Sequence, residues 1–143
     1  MSRPEDELRQ RLIKALGPEI KIEPIESGAV NDGFPDLLLA VPGADGLFPI
    51  ELKIGELTMD AIQRVIIDYR PGQNAKHAEL RRRIRNVWTL IFVPKLHYYY
   101  LVRNYQGFWN LPELREQCSW HDSNLSMLKL ALIQSVLRGA KGK

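Results

Sequence analysis

Three side chains in this sequence have the types and spacing for phosphodiester chemistry. Pro35-Asp36 opens the apolar run "PDLLLAV", and Glu51-Leu52-Lys53 sits inside a second run, "FPIELKI". In an extended strand alternate side chains share a face, so Glu51 and Lys53 project together, roughly 6.5–7 Å apart along the strand. Phe48, Ile50, Leu52 and Ile54 then face the other way, into a core. The segment "PGADG" between the two runs has hairpin-turn composition, and pairing across it brings Asp36 within reach of Glu51 and Lys53. Two carboxylates and the Leu52 backbone carbonyl form an all-oxygen donor set. Such a set suits Mg²⁺, which takes one or two carboxylates and leaves its other positions to water and phosphate. A lysine beside it can orient a metal-bound water or neutralise charge developing on phosphorus.

The spacing alone does not decide the matter, because it arises by chance in roughly a few per cent of chains this long. The plainer reading is a surface hairpin carrying an exposed ion pair. The surrounding elements argue against it. "SRPEDELRQRLIKAL" carries Leu8 and Leu12 at helical spacing after an acidic first turn, and Gly17-Pro18 stops it. "EIKIEPIE" alternates as a strand does, although Pro24 suggests an edge. After Gly55, Thr58 is expected to cap a helix through "MDAIQRVIIDY". A second helical stretch, "QNAKHAELRRRI", follows Arg70-Pro71-Gly72 and places Gln73, His77, Leu80 and Ile84 on one face. "NVWTLIFV" and "YYYLVRN" are strands joined by the turn "PKLH", and "SNLSMLKLALIQSVL" is an amphipathic helix that either covers the sheet or builds a dimer interface. The order predicts an α/β fold with a mixed sheet, because an antiparallel hairpin is followed by a helical crossover.

The 143 residues fit one domain, with a net charge of +3 and a single cysteine, Cys118. That excludes an internal disulfide and a cysteine-rich zinc site, and His97 and His121 lack ligand spacing. No apolar run reaches membrane-spanning length, so a soluble cytoplasmic protein without a membrane partner is expected. The charge is uneven. Lys76, Arg81, Arg82, Arg83 and Arg85 form a basic stretch suited to phosphate, or else a solvated helix face. Tyr98 and Tyr100 share one strand face and Tyr99 the other, which favours sheet packing over base stacking.

Pro35-Asp36 with Glu51-Leu52-Lys53 resembles the signature of the PD-(D/E)XK nuclease superfamily. "SGAVNDGFPDLLLA … GLFPIELK" resembles its VRR-NUC branch, found as small stand-alone proteins of phages and bacteria. The resemblance implies an αβββαβ restriction-endonuclease-like core over residues 1–104, with 105–143 a C-terminal helical extension packed on the same domain. It implies Asp36 and Glu51 as metal-binding acids and Lys53 as the catalytic lysine. Gln73, in preference to Gln63, would complete the site, and Glu5, with Glu7 the runner-up, would be the acid of the first helix. The implied activity is Mg²⁺-dependent hydrolysis of DNA, with Mn²⁺ able to substitute. Branched or junction DNA is one candidate substrate, a homodimer one candidate assembly, and the host cytoplasm the location for a phage-encoded protein. The rival reading is a non-catalytic nucleic-acid-binding module that retains the fold.

Overall fold

The computed structural model describes residues 4–24, 37–44, 47–67, 75, 78, 79, 82, 87–103 and 107–141. Helix α1 (Pro4–Leu16) starts with Glu5, Asp6 and Glu7 in its first turn, where the unpaired N–H groups and the helix dipole favour negative charge. Leu8, Leu12 and Leu16, one turn apart, are its buried stripe. Strands β1 (Lys21–Pro24), β2 (Leu37–Ala40) and β3 (Phe48–Leu57) then form an antiparallel meander. The expected hairpin is present: Leu37 pairs with Ile50, and Leu39 with Phe48.

Strand β3 continues to Leu57, beyond the motif, and returns as β4 (Arg64–Ile67), antiparallel to it. Here the structure corrects the expected helix after Thr58. Thr58 closes a turn instead: its N–H donates to the Arg64 carbonyl at 2.8 Å, and its hydroxyl accepts from the Arg64 N–H at 3.2 Å. "RVII" is β-branched and alternates outward and inward, with Val65 and Ile67 buried and Arg64 and Ile66 exposed.

Ala75, Ala78, Glu79 and Arg82 are helical, ahead of β5 (Trp88–Val93). Strand β5 lies parallel to β3, with Ile50 opposite Trp88 and Ile54 opposite Phe92. A single turn of 3₁₀ helix (Pro94–Leu96) ends at His97 in the left-handed region and leads into β6 (Tyr98–Val102), antiparallel to β5. The path β1-β2-β3-β5-β6-β8 is thus a mixed sheet, as the crossover required.

Beyond residue 104 the chain adds β7 (Phe108–Asn110), α2 (Leu111–Gln117), β8 (Trp120–Asp122) and α3 (Leu128–Lys141). The helical extension expected here also holds two short strands. One of them, β7, pairs with β4 and the other, β8, with β6.

Two apolar clusters lie on opposite faces of the central strands. The first joins α1, even-numbered β3 residues (Ile50, Leu52), Trp88, Leu90 and Leu101 with Leu128, Leu132 and Val136 of α3. The C-terminal helix covers the sheet through Leu128, Leu132 and Val136. The second cluster contains Leu57, Val65, Ile67, Ile91, Val93, Tyr100, Val102, Trp109, Leu111 and Leu114. It is enclosed by β4, β7 and α2. Gly55 lies within it: a Cβ there would meet Val65 Cγ1 at 2.6 Å and Ile91 Cγ2 at 3.0 Å, so only glycine lets these strands approach so closely.

Candidate active site

Strand alternation sends Glu51 and Lys53 to the same face as Gly55 and Leu57, the side of the second cluster. Both are buried, at 1% and 4% exposure. This rules out an exposed surface ion pair. Lys53 Nζ lies 3.8 Å from Glu51 Oε2. That is close enough for a strong Coulomb interaction but longer than the roughly 2.7–2.9 Å of a charge-assisted hydrogen bond. Removing two ions from water costs several kcal/mol each, and an ion pair of ordinary geometry does not repay that cost. The pair is therefore poorly explained as a stability element. Leucine and methionine at these positions would pack with less penalty.

The parallel register adds a third polar group. Thr89 is the Cα partner of Glu51, shares its face and is 2% exposed. Among the described residues Glu51, Lys53 and Thr89 are the buried polar or charged side chains, and they lie together on adjacent strands. Sequence reasoning passed over Thr89. Its signal was present, since it is the one polar residue of "WTLIFV".

Other expected site residues fall in different places. Asp36, Gln73, Lys76, His77, Arg81, Arg83 and Arg85 lie outside the described residues. Arg82 is exposed, as a phosphate contact requires. Glu5 is exposed on α1, which packs against the first cluster, so the structure sets it on the helix covering the opposite face of β3 from the Glu51–Lys53 pair. Leu52 is buried in that first cluster, and only its backbone can serve the pair's side of the strand.

The tyrosines follow the expected alternation. Tyr99 packs on Phe92 at a ring-centroid distance of 4.7 Å, beneath Arg11, which lies 5.2 Å from the Phe92 ring and donates to the Tyr99 hydroxyl at 3.3 Å. Tyr98 and Tyr100 face the second cluster, 5.2 Å apart, and the Tyr98 hydroxyl shares a 2.9 Å hydrogen bond with His121 Nδ1. Burial pushes the Tyr100 hydroxyl above its ordinary value, an effect partly offset by the Arg115 guanidinium.

The donors fit a hard divalent cation. The one carboxylate of the buried group, the Leu52 carbonyl and a hydroxyl are all oxygen, and no imidazole or thiolate stands among them. Among the described residues no set of three or more His, Cys, Asp or Glu side chains is grouped to hold a metal. A cation here would rest on Glu51, backbone oxygen and a further acid from outside the described residues.

No protein-family description matches this chain, and no curated protein matches it significantly. Among solved structures it is similar to a bacterial homing endonuclease, I-Ssp6803I. The TM-score is 0.58, covering 99% of this chain and 99% of that one, at 14% sequence identity. The likeness is one of fold: the chain has a nuclease-like mixed α/β architecture along its whole length. No helix among the described residues is long and apolar enough to cross a membrane.

Proposed function

We propose that this protein is a metal-dependent DNA nuclease of the PD-(D/E)XK type, of the VRR-NUC branch whose motif its sequence resembles. The observation that carries the reading is the buried Glu51–Lys53 pair, 3.8 Å apart on the central strand of a fold shared with an endonuclease. Asp36 supplies the second acid. It precedes Leu37, the partner of Ile50, in the sequence. Asp36, Glu51 and the Leu52 carbonyl would hold Mg²⁺, or Mn²⁺ in its place. A bound cation would polarise a phosphate oxygen and lower the pKa of a water ligand. Lys53 would keep that water in line with phosphorus and offset the negative charge of the transition state. Gln73 would keep the accessory role that the motif implies, whereas Glu5, exposed on the helix over the opposite face of β3, is given no role at the pair. Lys76 and Arg81, Arg82, Arg83 and Arg85 would contact the DNA backbone, giving affinity that falls steeply as salt rises.

The test is cleavage of plasmid, single-stranded DNA and a four-way junction with Mg²⁺, Mn²⁺ or EDTA. Metal-dependent cutting that drops by about 100- to 1,000-fold in Lys53→Ala is the expected result. The substrate cut fastest would settle whether branched DNA is preferred. Retention of DNA with no cutting in any metal would sink the nuclease and leave the non-catalytic binding module.

A further inference from the structure

Exposed apolar side chains are unevenly spread over the described surface. Four of the eight large ones, Met59, Ile62, Ile66 and Phe108, lie on the ribbon that β4 and β7 add beside the end of β3, or in the loop that enters it. Ile66 and Phe108 are direct cross-strand partners, 42% and 54% exposed, and form one apolar step on the outer face of the ribbon. Their strand neighbours Val65 and Trp109 point the other way, into the second cluster. The ribbon is thus apolar on both faces, and only the inner one is covered. At roughly 200 Å² per large side chain, the four expose on the order of 400 Å². That extent marks an interaction surface, and it is about half of the roughly 800 Å² that each partner buries in an interface of standard size, the usual apolar share.

Two charges of opposite sign rim this face. Glu56 stands opposite Ile66 on β3, and Arg64 precedes Ile66 by two residues on the same face; both are exposed. The Arg64 guanidinium turns away from Glu56 and toward Phe108, 5.7 Å from the ring centre, while the Thr58 hydroxyl accepts from the Arg64 backbone N–H. The cation therefore lies on the Phe108 side of Ile66 and the carboxylate on the other. A face with an apolar centre and one charge of each sign is complementary to itself. Turned about a two-fold axis, Arg64 of one copy meets Glu56 of the other as the apolar centres meet. DNA is a poorer occupant, because Arg64 is outnumbered by Glu56 and the exposed Asp60.

We propose that the outer face of the β4–β7 ribbon docks a second copy of this chain, forming a two-fold dimer with Ile66 and Phe108 at its centre and Arg64–Glu56 ion pairs at its rim. The inference goes beyond the nuclease reading and needs neither metal nor DNA.

The experiment is sedimentation equilibrium of the full chain at micromolar concentrations, with thermal unfolding of each variant to show that it folds. The parent should sediment as a dimer, and Phe108→Ser should raise its dissociation constant about tenfold or more. Arg64→Glu and Glu56→Arg, both at exposed positions, should each weaken the dimer by a similar factor, because each sets like charges face to face. Mixing these two variants in equal amounts should restore the dimer, since one then presents two carboxylates to the other's two guanidinium groups. Ile66→Thr, which keeps a β-branched side chain on the strand, repeats the test of the apolar centre should Phe108→Ser fold poorly. A monomeric parent overturns the proposal, and a monomer whose retention on duplex DNA falls in Phe108→Ser gives the face to DNA instead. A dimer that persists in both Phe108→Ser and Ile66→Thr also overturns it, and places the contact elsewhere, as on the exposed Met127 and Leu130 beside and within α3. A mixture no tighter than either charge variant alone overturns the pairing of Arg64 with Glu56.

Discussion

Leu52 and its neighbours Glu51 and Lys53 are almost equally buried, at 2%, 1% and 4% exposure, yet they face two different environments. Leu52 enters a cluster built from α1, α3 and the sheet, where apolar area removed from water contributes directly to stability. Glu51 and Lys53 enter the opposite side, where the same degree of burial opposes folding. Burial therefore says little about purpose on a central strand. What separates the two faces is the chemistry placed there: an apolar face needs no explanation beyond packing, whereas a buried ion pair at 3.8 Å does.

Substitutions on the two sides should separate stability from activity. The largest contrast is expected between Leu52→Ala and the double variant Glu51→Leu/Lys53→Met. Leu52→Ala should lower unfolding free energy by about 2–5 kcal/mol in urea titration, while DNA cleavage survives below the melting point. The double variant should lose cleavage altogether and unfold at the same urea concentration or higher, gaining up to about 4 kcal/mol. A double variant as destabilised as Leu52→Ala would mean that the ion pair is structural after all.

Gly55→Ala sharpens the comparison on the charged side. The added methyl would press on Val65 and Ile91, so a loss of about 1–3 kcal/mol is expected by the same titration. A neutral result would show that β4 can move away from β3 freely. The smallest effect concerns Tyr100, on the same face of the sheet. Burial keeps its hydroxyl neutral to higher pH in the folded chain than in the unfolded one. Its contribution is then intact below pH 10.0 and is lost as pH rises through the higher folded value. Urea midpoints should fall on the alkaline side of about pH 10, and Tyr100→Phe should flatten that fall. An unchanged alkaline limb in the variant would assign the loss to another group.

Much of this arrangement could be read in the sequence, for local reasons. Leu8 and Leu12 marked α1, the runs on either side of "PGADG" gave the hairpin, and "NVWTLIFV" and "YYYLVRN" named the two strands beyond the crossover. The alternation of Glu51 and Lys53 against Ile50 and Leu52 placed the pair on one face. Strand β4 escaped because Ile62 and Ile66 repeat at helical spacing, and a helix-compatible period says nothing of distant partners. Its true partners are Leu57 and Trp109, the second of them 44 positions along from Val65. The three-residue strands β7 and β8 are too short to display any period. Thr89 was missed for a related reason. A lone threonine in a strand is ordinary until the parallel register sets it opposite a buried carboxylate.

The two clusters also differ in how they draw on the chain. The first uses residues from Leu8 to Val136, and the second uses Leu57 to Leu114, entirely inside that span. The inner set is nested in the outer one, as a parenthesis is in a sentence. No single cut in the backbone can part them into an early and a late fragment, each with its own complete interior. A division at residue 104 would take Trp109 and Leu114 from the second cluster and Leu128 and Leu132 from the first in one stroke. Loss or exchange of residues 105–143 is therefore a change to both interiors of the molecule, and not the shedding of an appendage.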